Sequence, residues 1–145
     1  MSTRCKEAIE FFGRGYGCAQ SMLCIYGESH GIDKDTAVRL GRPFGSGMAI
    51  GSTCGAVMGA VAVLGLALEG GEDEAHERDE VYEKTRELVR RLRDRRGSID
   101  CKDILGVDLS TNEGEKEAMQ RNLFGTVCVA VIRDVTQILE ELLLT

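Results

Sequence analysis

Residues 48–68 contain no charged side chain, in a chain of 145 residues of which 29% are charged. So long an apolar run must leave water, and it has two ways to do so. It crosses a bilayer, which takes about 20 apolar residues, or it lies inside a bundle of other helices. Gly51, Gly55 and Gly59 recur in it at every fourth position, the spacing that lets two helix backbones approach closely. The lead-in through Ser52 and Thr53 reads as loop, so the helix proper covers about residues 54–68, which is short for a span. The expectation is a buried helix and no membrane span.

The rest of the chain supplies helices to bury it. There is no tryptophan, and only three Tyr and four Phe accompany the aliphatic residues, which suits closely packed helices. A single proline, Pro43, leaves long segments free to be helical. Apolar periodicity marks helices at residues 6–12 and 18–26, with a short third one capped by Asp33 or Asp35 and reaching about Leu40. The Glu69-Gly70-Gly71 stretch ends the apolar helix. A long amphipathic helix follows over residues 73–96, with Val81, Thr85, Leu88, Val89 and Leu92 on one face. Its acidic start and arginine-rich end match the helix dipole, and the arginines read as a solvated end more than as a docking patch. A short helix capped by Ser98 or Asp100 follows, then a polar connection over residues 106–114 and a helical stretch over 115–122. The last helix covers residues 126–144, with Val131, Val135, Ile138, Leu139 and Leu142 inward. The expected fold is all-α: a single domain over residues 1–145, a bundle of about five to seven helices around a central glycine- and alanine-rich apolar helix.

The net charge of −6 argues against non-specific nucleic-acid binding, which needs a basic surface. The N-terminus has no apolar signal core, so a cytoplasmic setting is expected. There, six cysteines are free thiols, redox thiols or metal ligands before they are a disulfide framework.

Four of the six share a context. Cys18, Cys54, Cys101 and Cys128 each follow a glycine or turn signal and precede an apolar run that reads as a helix. Free N–H groups and the positive end of the helix dipole favour a thiolate at such a place. No pair has C-x-x-C spacing, so a shared site must be assembled by the fold. Only His30 and His76 provide imidazoles, neither beside a cysteine. Cys5 and Cys24 fit plain packing of small apolar groups. Residues 41–55 hold five glycines, and this stretch reads either as a loop whose N–H groups face an anion, a cluster sulfide or a substrate, or as a tight turn between helices.

The order Gly-Tyr-Gly-Cys18-Ala-Gln-Ser, Phe44-Gly-Ser-Gly-Met, Cys54-Gly55-Ala56-x-x-Gly59, Gly97-Ser-Ile-Asp-Cys101-x-Asp-Ile-Leu-Gly106 and Cys128 resembles the C_GCAxxG_C_C family of redox-active, four-cysteine proteins. The resemblance implies a bacterial or archaeal protein whose four family cysteines are Cys18, Cys54, Cys101 and Cys128. A related module occurs in split-Soret cytochromes, where a cysteine-bound iron–sulfur centre is implied. This chain has no haem motif.

Three functions follow as expectations. In the first, Cys18, Cys54, Cys101 and Cys128 converge as metal ligands for an iron–sulfur cluster, with zinc or no metal as alternatives. Electron transfer to a partner protein is then the role, and backbone N–H groups at Gly45, Gly47 and Gly55 face the cofactor. In the second, the chain is a thiol–disulfide oxidoreductase or redox sensor with Cys54 as nucleophile. In the third, it is a non-enzymatic helical module, a homodimer with structural cysteines.

Overall fold

Side-chain caps start half of the described helices, and left-handed residues close several of them. A computed structural model of the chain describes residues 1–68 and 73–145, and among these it contains eight α-helices with short 3₁₀ and π turns and no named strand. Helix α1 (Thr3–Gly13) is capped by Ser2, whose Oγ accepts from the Cys5 N–H at 3.0 Å. Helix α2 (Cys18–Gly27) starts at Gly17, whose N–H donates to the Gln20 side chain at 2.8 Å. Asp33 caps α3 (Lys34–Gly41) by accepting from the Thr36 N–H at 2.8 Å, a bond that holds its carboxyl below the usual range. Helix α4 (Gly55–Ala67) is the apolar one, and Cys54 is its cap residue.

Helix α5 (Glu74–Arg96) runs from its Asp73 cap to Gly97, which has φ 80°. Helix α6 (Cys101–Leu105) ends at Gly106 with φ 73°. Thr111 caps α7 (Asn112–Gln120) by accepting from the Gly114 N–H, and so starts that helix earlier than residue 115. Helix α8 (Val129–Leu143) follows a π turn at Phe124–Cys128. The expected five to seven helices are therefore eight among the described residues. Gly106 and Asn122 (φ 73° and 53°) close α6 and α7 as separate short helices. The stop signal at Glu69-Gly70-Gly71 lies outside the described residues.

The apolar helix packs against α2, α5 and α8. Gly55 and Gly59 serve that packing within the chain. A Cβ at Gly59 would stand 2.7 Å from the Met22 Cβ and 3.0 Å from the Ala19 carbonyl oxygen, so only glycine lets α2 lie this close to α4. Among the described residues, no single helix is long and apolar enough to cross a membrane. Helix α8 contributes Val131, Val135, Ile138, Leu139 and Leu142 to the core, the face its periodicity predicts.

Polar clasps fix how the helices meet. The arginine-rich end of α5 is ion-paired to α8: Arg91 to Glu141 at 2.8 Å and Arg96 to Asp134 at 2.7 Å. These pairs are partly exposed, so each contributes little stability and mainly sets orientation. Near the termini, Ser2 Oγ and the fully buried Tyr26 hydroxyl both donate to one Glu140 oxygen, at 2.6 and 2.7 Å. Burial, and then this carboxylate, raise the Tyr26 hydroxyl above its ordinary value.

Candidate functional site

Cys18, Cys54, Cys101 and Cys128 all line one cavity of about 470 Å³. Three local devices bring their segments together from distant parts of the sequence.

The first is a two-bond clasp between the chain entering α4 and the chain entering α6. Thr53 and Asp100 form an isolated antiparallel bridge, in which the Cys54 N–H donates to Ile99 O and the Cys101 N–H donates to Ser52 O, each at 2.7 Å. The clasp sets the starts of the two helices side by side. The second device is Gly55. A Cβ there would stand 2.8 Å from Phe44 O and 3.3 Å from the Cys18 Cβ, so its absence lets the start of α2 rest on the start of α4. The third is a left-handed turn. Ser46, Gly47, Met48 and Ala49 have φ of 53°, 63°, 60° and 63°, and each non-glycine residue in that region costs roughly 1–2 kcal/mol. Backbone strain of this kind concentrates at functional sites. A Cβ at Gly47 would stand 2.6 Å from Ser52 N and 2.8 Å from the Cys101 Cβ. The turn therefore presses directly on the clasp.

Cys128 arrives differently. Its N–H donates to Leu123 O at 3.0 Å, and the Val129 N–H donates to Thr126 O. It sits inside a continuous helical run instead of at a free helix start, so the helix-end argument does not apply to it. The π turn that carries it is a bulge of the type often found where a helix must aim one side chain into a site.

The electrostatics set Cys54 apart from Cys18 and Cys101. Cys54, at the α4 cap, is lowered to about 7. The Cys18 thiol is the main cause, burial opposes it, and the N–H groups of Ala56 and Val57 add to it. Cys18 is raised well above the ordinary thiol value, by its interactions with Cys128 and then Cys54, and by burial. Cys101 is pushed up to about 12, by burial first and then by the neighbouring charge at Cys54. Cys18 and Cys101 are the first residues of α2 and α6, so the helix-start argument places them correctly. It misses that the neighbouring Cys128 and Cys54 thiols raise Cys18 and that burial raises Cys101.

The remaining candidates separate cleanly. Gly45, Gly47 and Gly55 line the cavity. Cys5 is buried in α1, and Cys24 lies near Lys34, where burial raises its thiol. His30 sits in a 3₁₀ turn and His76 is exposed on α5; neither lines the cavity. The apolar wall, with Phe12, Tyr16, Leu105, Leu109 and Phe124, was not evident from the sequence as part of the site. Its one signal is Tyr16, in the Gly-Tyr-Gly ahead of Cys18; its ring stacks on Phe11 with centroids 4.1 Å apart.

The donor set suits a thiolate-held metal group, since four thiols border one cavity. Among the described residues, no three Cys, His or carboxylate side chains stand close enough to hold one metal ion. A mononuclear tetrahedral site needs four such ligands around one ion, whereas a two-iron cluster asks for two thiolates per iron.

A family model described as "Putative redox-active protein (C_GCAxxG_C_C)" matches residues 16–142. No curated protein and no solved structure matches the chain.

Proposed function

The chain belongs to the C_GCAxxG_C_C family, and we propose that it works as a dithiol redox protein whose working pair is Cys54 and Cys18. The observation that carries this reading is their unequal placement in one cavity. Cys54 sits at a helix cap facing the Ala56 and Val57 N–H groups, and Cys18 lies against it as a protonated thiol. Exchange favours this inequality. An attacking thiol is most effective when its pKa is near the ambient pH, because a higher value empties the thiolate and a lower one weakens it as a nucleophile. Cys54 attacks and Cys18 resolves. Cys101 and Cys128 border the same cavity.

Alkylation of the reduced, metal-free protein tests the pair. The pH profile for Cys54 should have its midpoint near 7. In Cys18→Ala the midpoint should move up, because the thiol that lowers it most is gone. A midpoint that stays in place in Cys18→Ala would show that the two residues do not act as a pair.

A second reading rests on the fact that four thiols, not two, open on the cavity. Cys18, Cys54, Cys101 and Cys128 would then hold a [2Fe–2S] cluster, with the backbone at Gly45, Gly47 and Gly55 bare of side chains towards it. Such a cluster supplies one-electron transfer. Iron and sulfide in about two equivalents each, in protein purified without oxygen, support this reading. Protein without iron or sulfide under the same conditions removes it.

A further inference from the structure

The cavity has one property that the dithiol chemistry does not require. None of the residues that line it is Asp, Glu, Lys, Arg or His. Its walls are the four cysteines, glycines, one serine and apolar side chains such as Phe12, Tyr16, Leu105 and Phe124. Its volume of about 470 Å³ lies within the range of about 300–1,000 Å³ typical of small-molecule sites. An anion brought into such a site loses its hydration and gains no cationic partner. A neutral molecule with an apolar body loses little and is drawn in by burial.

We propose that the substrate of the Cys54–Cys18 pair is a small, uncharged, largely apolar disulfide that enters this cavity, and that anionic low-molecular-weight disulfides are excluded. The inference rests on the dithiol reading above and adds the substrate class. In the first step the Cys54 sulfur attacks one substrate sulfur. The substrate S–S bond breaks, a mixed disulfide forms, and the first substrate thiolate leaves with the proton of Cys18. In the second step the Cys18 sulfur attacks Cys54, and the second substrate thiolate leaves and takes a proton from water. The substrate gains two electrons, the Cys54–Cys18 pair loses two, and a dithiol reductant returns the pair to its reduced state.

Two chromogenic aromatic disulfides on one scaffold provide the test. One is the dianion 5,5′-dithiobis(2-nitrobenzoate); the other is its dimethyl ester, which is uncharged and no smaller. Rates with the reduced protein near neutral pH are each divided by the rate of a small free thiol. The whole chain carries −6 and repels anions at long range, so the comparison is repeated at about 1 M salt, where screening acts over about 3 Å. The normalised preference for the neutral reagent should remain at least about 100-fold in high salt. Leu109→Lys, which places a cation in the wall, should raise the normalised rate with the dianion by about tenfold or more. A normalised ratio near one in high salt overturns the substrate class and leaves the dithiol reading intact. Failure of both reagents to convert the Cys54–Cys18 pair to a disulfide overturns the dithiol reading, and this inference falls with it.

Discussion

Replacing Cys54 with serine should slow disulfide exchange near neutral pH by between about 100-fold and 1,000-fold. The size follows from the contrast within the cavity. Cys54 is lowered to about 7 and Cys101 is pushed up to about 12. Near neutral pH a thiol at the higher value has roughly 10⁵ less thiolate, but its thiolate is more nucleophilic by roughly 10² to 10^2.5, given a Brønsted slope of about 0.4–0.5. The residual rate of Cys54→Ser is what the remaining thiols deliver. Cys101→Ser, by contrast, leaves the attacking group in place and should change the rate by less than about tenfold. If the two variants slow exchange equally, Cys54 is not the nucleophile.

The second large effect is structural and belongs to a residue with no chemistry of its own. Gly47→Ala should destabilise the fold by about 2–4 kcal/mol, which lowers the melting temperature by roughly 10 °C in a domain of this size. The added Cβ would stand 2.6 Å from Ser52 N and 2.8 Å from the Cys101 Cβ, and the residue has φ 63°. Ser52 O is the acceptor for the Cys101 N–H, so relief of the clash moves the clasp and separates the two helix starts. Thermal unfolding measures the stability loss, and faster alkylation of Cys101 reports the opened clasp. Wild-type stability with unchanged Cys101 reactivity would show that the left-handed turn does not brace the site. Gly45→Ala is the matched control: a Cβ there meets nothing within 4 Å and φ is −66°.

Much of this arrangement could be read from the residues, and the part that could not has a physical cause. The boundaries of α4 and α5 follow from Cys54, Asp73 and Gly97, because caps and left-handed stops are local signals. The four cysteines were separable from Cys5 and Cys24 by their place beside turn residues. Their meeting was not readable, because it depends on the Thr53–Asp100 bridge, which joins residues far apart in sequence and involves two ordinary backbone hydrogen bonds. The raised thiols of Cys18 and Cys101 were also out of reach, since neighbouring thiols at Cys18 and burial at Cys101 reverse what a helix start alone predicts. The left-handed geometry of Met48 and Ala49 contradicts their intrinsic preference, and only packing imposes such a conformation.

The glycine seam between α2 and α4 links oxidation to folding. Gly55 and Gly59 let α2 lie close enough to hold Cys18 against Cys54 while both are reduced. A bond between them would close the loop from residue 18 to residue 54, and a cross-link over that length restricts the unfolded chain by about 4 kcal/mol. The folded state loses less freedom in return, since the Cys18 and Cys54 thiols already interact. By thermodynamic linkage, whatever the bond adds to the fold, the fold adds to the bond. At about 30 mV for each 1.4 kcal/mol, the native packing would draw the potential of the proposed pair in the reducing direction by roughly 80 mV relative to the same two thiols in an unfolded chain. Helix packing and electron affinity are thereby set by the same two missing side chains.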